Sequence, residues 1–562
     1  MLTAAGDHIV RPPHSTNTSG VVRVRLRHNA PEREPMIKIR SGNTEQSLER
    51  AIHLAFVGLL GGLATQSQAM SFTPTPDLTI DWDTTLSYSL AWRVEDRDHK
   101  LVADANGNDG NNAFDKGSLI NNRIGFVSEA NLKWREDYGV FVRGAGYYDN
   151  VYDQGNDNGT GTSNCFAGGH CSRPDRFPQD TIDQHREDLR LLDAYAYGNW
   201  TVADRSLNLR VGDQVVSWGE SMFYPGISAA QSPVDATKAT TPGVEVKEIL
   251  LPVGQVFAQY NLTESLNLQT YVQYEWDKTE LFGVGSYFST TDLIDEGGFN
   301  DFSGTVRRLA DDKPSDSGQY GVALTYASDL LNGTEFGLYY SRYHDKAPTL
   351  DFQSDLGFYR VRYFDNIDQY GASFATVLGE TSIAGEVSYR DGQPVMVDNG
   401  FSSSVRAETL QSQLSVVHVV GPTGFTDNLT LVGEVVYLHV LDNDASEPVT
   451  LFPGFTLPGT DSLVYDRDAW GFTAQATLDY NNVFDGWDMS VPLTLSVAAH
   501  GDSAINGLIA NGAHDNRMSV GTTWRYLNNF TVETLYNAYL GNANNSPLAD
   551  RDNVALNFKY RF

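Results

Sequence analysis

Residues 551–562 read RDNVALNFKYRF. Apolar side chains occupy every second position, Val554, Leu556, Phe558, Tyr560 and Phe562, with Ala555, Asn557, Lys559 and Arg561 between them. Strict alternation makes a strand with one apolar and one polar face. Such a strand needs partners to be stable. The kind of sheet it joins therefore decides the fold.

The same two-faced pattern recurs at the other end. In residues 79–93, TIDWDTTLSYSLAWR, Ile80, Trp82, Leu86, Tyr88, Leu90 and Trp92 share one face, and Asp81, Asp83, Thr85, Ser87 and Ser89 share the other. Aromatic residues lie near both ends of the apolar face, as in the interfacial girdles of a membrane barrel. The run exceeds the roughly 5–6 residues usual in soluble sandwiches. Between these two strands lie sixteen more alternating runs, giving a closed antiparallel transmembrane β-barrel of about 18 strands, within a range of about 14–20. Short turns alternate with long segments rich in Asp, Asn and Gly, near 94–123, 149–189, 219–255, 277–318, 345–368, 390–408, 441–468, 501–516 and 541–553. That asymmetry predicts short periplasmic turns and long external loops. Closure leaves no strand edge exposed to lipid.

Bulk composition is compatible with this and misleads on its own. The 562 residues carry a net charge of −31, with 28 Tyr, 27 Phe and two Cys. The mean hydropathy of −0.34 would suit a soluble acidic protein, but lumen-facing residues dilute every segment of a membrane barrel. Residues 36–69 resemble an export signal: Lys38, Arg40 and Arg50 precede the apolar run Leu54–Ala64, and Ser67 and Ala69 supply small residues for cleavage after Ala69. Met36 is the expected start. Removing the eight Lys/Arg and five Asp/Glu of residues 1–69 from 40 and 71 leaves 32 and 66, a net charge of −34. Such a charge opposes nucleic-acid binding, which depends on cations meeting phosphates.

Chemistry-bearing motifs are few. Cys165 and Cys171 in NCFAGGHC are expected to pair as a local disulfide; with His170 they give too few ligands for zinc. Asp104, Asn106 and Asn108 have the alternate spacing of a calcium loop, but Asp109 replaces its Gly and Asp115 its Glu. A polar turn is the favoured reading there and weak calcium binding the alternative. There is no G-x-S-x-G or H-E-x-x-H pattern, so no enzyme and no cofactor are expected.

Residues 212–253, GDQVVSWGESMFYPGISAAQSPVDATKATTPGVEVKEILLPV, differ from the other long segments. They are more apolar and contain Pro225, Pro233, Pro242 and Pro252. Residues 221–251 are therefore expected to fold into the barrel as a plug, since exposed apolar patches are disfavoured. Trp218 and Glu220 would mark the inward turn. Asp235, Lys238, Glu245, Lys247 and Glu248 would meet charges on the wall. By alternation the lumen wall includes Asp81, Asp83, Glu129, Lys133, Arg143, Asn208, Arg210, Glu275 and Glu533.

The runs QVVSWGES (214–221), PVDATK (233–238), PGVEVKEILLPV (242–253), YVQYEW (271–276), GSYFSTTD (285–292) and NDGNNAF (108–114) resemble the proteobacterial outer-membrane family labelled Domain of Unknown Function 1302. At Asp213 most members would have a basic residue. The resemblance implies a location in the outer membrane of a Gram-negative bacterium, among outer-membrane lipid and lipopolysaccharide. It also implies genetic association with hydrophobic compounds, with a periplasmic partner protein and with an inner-membrane transporter. Tyr560 and Phe562 resemble the terminal signal read by the barrel-assembly machinery. The expected function is passage of a hydrophobic or amphipathic small molecule or lipid. The alternatives are a non-transporting structural or assembly barrel and, third, an outer-membrane hydrolase.

Overall fold

The computed structural model describes residues 24–25 and 70–562, apart from 162, 295, 300–305, 354–356, 399–401, 447–448, 453–454, 458, 506 and 510–513. The expected start, apolar run and cleavage point of the export signal lie outside the described residues.

Eighteen strands, from Leu78–Arg93 to Asn553–Arg561, form one closed antiparallel barrel. Each pairs with its sequence neighbours, and the last returns to the first, from Asn553 opposite Arg93 to Arg561 opposite Thr85. Phe562 extends this ladder by one step, exchanging backbone hydrogen bonds of 2.9 and 3.0 Å with Thr84. Below that point the same edge is taken by Met70–Thr75, with Met70, Ser71 and Phe72 opposite Trp82, Asp81 and Ile80. The first strand thus has its edge covered along nearly its full length by both ends of the barrel chain.

Turn chemistry explains the tight end. At the Val202–Arg205 connection, Ala203 and Asp204 both have positive φ (51° and 59°), the conformation that matches strand twist in a two-residue hairpin. Leu527 and Asn528 also have positive φ, 47° and 65°, in the three-residue connection between Tyr526 and Phe530. At the opposite end the loops build structure of their own, including a small sheet of Arg307–Arg308, Thr349–Gln353 and Phe358–Arg362.

The alternation sorts side chains as the physics of a lipid-facing wall requires. On the first strand Trp82 points outward and is exposed, whereas Asp83, Thr85, Ser89, Ala91 and Arg93 are buried on the inner side. Outward aromatic residues form two belts. Trp134, Tyr138 and Trp200 touch near the short-turn end, as do Trp487, Tyr526 and Phe530. Tyr320, Tyr340, Tyr370 and Tyr389 form a row near the loop end. The wall has one unusual interruption. Between strands Trp487–His500 and Arg517–Tyr526, pairing runs through Ser490–Thr523, stops at Val491 and Pro492, and resumes in the same register at Leu493–Val520. Proline lacks the N–H that the ladder needs.

Two strands stop earlier than their sequence pattern indicates. Arg205–Gln214 ends four residues before Trp218, and Leu266–Gln273 ends before Glu275 and Trp276. Trp276 consequently leaves the outer face. It is buried against Val361 and Tyr363, with its Nε1–H donated to the Asp345 carbonyl at 3.1 Å. Burial beneath the loops overrides the alternation that placed it outward.

Candidate functional site

Residues 215–252 leave the wall after Gln214 and rejoin it at Val253. In between, two wall carboxylates gather the backbone. Glu434 accepts from the N–H groups of Met222, Phe223 and Tyr224 at 2.5–3.3 Å. Glu386 accepts from Glu220 N–H at 2.6 Å and from Ile227 N–H at 2.9 Å. The approach is so close that a Cβ on Gly226 would lie 1.7 Å from Glu386 Oε1, so only glycine fits there.

The carbonyls of the same turn are held from neighbouring strands. Gln413 donates to Tyr224 O at 2.9 Å, Gln411 to Pro225 O at 2.9 Å, and Arg390 to Gly226 O at 2.8 Å. Tyr224 Oη and Thr473 Oγ1 are 2.9 Å apart. Further along, Lys346 donates to Ala230 O at 3.0 Å and Gln273 to Gln231 O at 2.6 Å.

The height of these contacts places the segment. Glu386 stands five residues above the short-turn end of Thr381–Asp398, and Glu434 six above that of Asn428–Asn443. At ~3.3 Å per residue that is about 15–20 Å up the wall. Across the ring, Lys247 Nζ meets Glu129 at 3.0 Å, five residues above the same end of Leu119–Trp134. A segment tied at that depth to strands on different sides of a closed ring crosses its interior.

The wall residues expected from alternation are held in separate local contacts. Glu129 and Asp193 flank Arg143 at 2.8 and 2.6 Å. Lys133 pairs with Asp81 at 2.9 Å, and Arg561 with Asp83 at 2.6 Å. Glu533 accepts from Asn557 at 3.1 Å, and Asn208 donates to Asn199 at 2.8 Å. Arg210 lies over Phe257, 4.3 Å from the ring centre. Glu275 is the departure: beyond its strand end, it accepts from Gly254 N–H at 2.7 Å.

Within the segment, Trp218 is buried against Tyr271 and Tyr339 and donates to Gln269 at 2.9 Å. The Glu220 carboxyl is pushed up by burial and then by Glu335 and Glu386. Asp235 caps the turn Ala236–Ala239 and lies 3.8 Å from Arg190. Lys238 sits over Tyr147, 3.6 Å from the ring centre. Glu245 and Glu248 do not serve as wall contacts in the expected way. Glu248 accepts from Glu245 N–H at 3.0 Å and Glu245 pairs with Lys247 at 3.2 Å, because a short helical turn, Val246–Ile249, needs its end capped.

Cys165 and Cys171 are joined as a disulfide. At the calcium-like spacing, for which a polar turn is the favoured reading, Asp104 accepts from Asn106 N–H at 3.1 Å, and Asn108 donates to Val102 O at 2.9 Å. Among the described residues no group of three or more His, Cys, Asp or Glu is arranged to hold a metal ion.

Residues 50–562 match the family described as a protein of unknown function, DUF1302. The chain belongs to that family. No curated protein matches the sequence. Among solved structures the DUF1302 chain is similar to OccAB4 of Acinetobacter baumannii, at 12% identity and a TM-score of 0.42, covering 87% of this chain and 99% of that one. It is also similar to the outer membrane channel DcaP of the same organism (11%, 0.37, 87% and 99%). A BenF-like porin from Pseudomonas fluorescens Pf-5 gives 10% identity and a TM-score of 0.40, with 86% and 98% covered.

Proposed function

We propose that this DUF1302 protein is an outer-membrane channel whose lumen is narrowed by residues 215–252 and which passes a hydrophobic or amphipathic small molecule or lipid. The observation that carries the reading is the grip of Glu386 and Glu434 on the backbone of residues 220–227 inside a closed ring. The two aromatic belts support residence in a bilayer. Phe223 and Tyr224 of the segment pack with Ile505, Leu508 and Ile509 and set an apolar cluster beside the charges of the interior. An amphipathic solute meets both on such a path.

Purified protein in planar bilayers tests this. Wild type should conduct weakly, and the pair Glu386→Ala with Glu434→Ala should conduct several-fold more as the segment loosens. Uptake of an amphipathic probe into liposomes should follow. If neither protein conducts or admits the probe, the channel reading fails and a structural or assembly barrel takes its place.

A further inference from the structure

The first external loop, residues 94–118, contains the short helical turn Asp109–Asn112, whose four residues are all buried. The turn packs directly on the loop that follows strand Leu266–Gln273. A Cβ on Gly110 would lie 2.6 Å from both Ser286 O and Ser289 O. Asp292 N–H donates to Asn106 O at 2.8 Å. Asp109 also reaches the loop that carries the disulfide. Its carboxylate accepts from Asn164 N–H at 3.1 Å and from the Ser163 hydroxyl at 3.3 Å. Three external loops thus meet at one point.

The Asp292 side chain stands at that point, and Asp292 is 0% exposed. The N–H groups of Asn108 and Asp109 are turned toward it, yet neither of its oxygens completes a hydrogen bond. No other buried carboxylate among the described residues has both oxygens unsatisfied. Burial pushes its carboxyl well above the usual carboxylate range, and the Asp109 charge adds to the rise, with Asp104 contributing. The arginines of these loops are committed elsewhere: Arg93 and Arg551 pair with Asp550 at 2.9 Å and Arg97 with Asp115 at 2.5 Å. Arg551 touches the turn at Gly110 without forming an ion pair to Asp109 or Asp292. A buried carboxylate in this position calls for a cation. Asn108, also buried, spends its amide N–H on Val102 O and leaves its Oδ1 without a partner. No third carboxylate closes a set of three, so amide and main-chain oxygens must complete any shell. Such an all-oxygen, irregular set suits calcium, whereas magnesium demands a near-ideal octahedron and keeps its waters.

We propose that Asp109 and Asp292 hold one calcium ion, with the Asn108 side-chain oxygen and main-chain carbonyls of the adjoining loops completing its shell. The ion fastens three external loops to one another at the loop end of the barrel. Asp104, at the exposed edge, adds charge from outside the shell. Binding is measured without conductance, so the site stands or falls apart from the channel reading.

The test is equilibrium dialysis of the chelator-treated full chain in detergent against radioactive calcium, with magnesium as competitor. One calcium should bind per chain, with a dissociation constant of about 0.1–1 mM, as in extracellular sites. Magnesium should compete at least tenfold less well. Asp292→Asn, which keeps the shape and removes the charge, should lose at least tenfold in calcium affinity. Asp204→Asn, in a short turn at the opposite end, should lose none. Folding of each variant is checked by its heat-dependent shift in electrophoresis. The temperature of that shift should rise with calcium in the native chain and stay constant in Asp292→Asn. If Asp292→Asn does not fold, Asp104→Asn replaces it and should lose at least twofold. Absence of a saturable calcium site, equal competition by magnesium, or unchanged affinity in Asp292→Asn (or in Asp104→Asn where it stands in) would each overturn the proposal. So would a native chain indifferent to calcium beside an Asp292→Asn variant that shifts at a higher temperature, since a shared proton would then neutralise the pair.

Discussion

The residues that matter most to the hold on residues 220–227 are the two wall glutamates. A hydrogen bond to a charged group is worth about 1.5–3 kcal/mol, and stranding a buried donor costs as much again. Glu434→Gln keeps an acceptor but not its charge, so the turn at 222–224 should loosen by about 1–2 kcal/mol. A cysteine at Ala230, which is fully buried, should then react faster with a bulky thiol reagent than it does in the otherwise native chain. Gly226→Ala should act more strongly, because its Cβ would overlap the Glu386 carboxylate. None of this was legible in the sequence. Alternation places Glu386 and Glu434 on the polar face along with many other residues, and nothing local distinguishes a side chain that solvates the lumen from one that binds a distant turn. Trp218, Asp235, Lys238 and Lys247 stood out because their segment was anomalous in composition. Lys238 also carries a pH signature. Burial, then repulsion by Arg123, pulls its ammonium down to about 7, with Asp235 and Asp188 opposing and Arg190 adding to the fall. Between about pH 7 and its unfolded value near ~10.4 the unfolded chain binds more protons, so stability should rise with pH across that window. Denaturation midpoints should show this slope in the native chain and a shallower one in Lys238→Met.

At the scale of single elements, the strands were the most readable part. Alternation over ten or more residues fixes both their existence and their facing, since a one-residue slip would turn every apolar group into the lumen. Ends were less readable. Nothing in YVQYEW indicates that the ladder stops at Gln273 and that Trp276 is drawn under a loop; that outcome depends on residues near 361, far along the chain. The terminal strand makes a direct prediction. Deleting Phe562 removes both backbone bonds to Thr84 and the ring contact with Tyr560. The amount of folded, heat-shifting protein should fall, and the molecules that do assemble should conduct normally. The interrupted ladder at Pro492 makes another. Whichever of the Gly521 and Thr522 amides faces the strand of Pro492 should exchange with solvent faster than those of Ser519 or Thr523, and Pro492→Ala should slow it by letting the ladder close.

For the whole molecule, closure and the segment that crosses the ring act together. A ring without free edges, braced from inside, should keep its strands in moderate urea and migrate as a compact species until heated. Loss of compact migration in cold detergent would count against the closed barrel. Composition alone pointed the other way, toward a soluble acidic chain, because a barrel exposes its apolar atoms one residue in two.

The path of the bracing segment also sets an order of events. Residues 220–227 are made between the fifth and sixth strands, yet Glu386, Gln413, Glu434 and Thr473 lie about 160 to 250 positions later. Contacts of such separation are slow to form. The early strands must therefore carry the segment unanchored until the later ones arrive, and the ring closes around it. Its contacts then belong to the far side of the folding barrier. Weakening them should leave the rate of assembly almost untouched and make the finished barrel come apart faster.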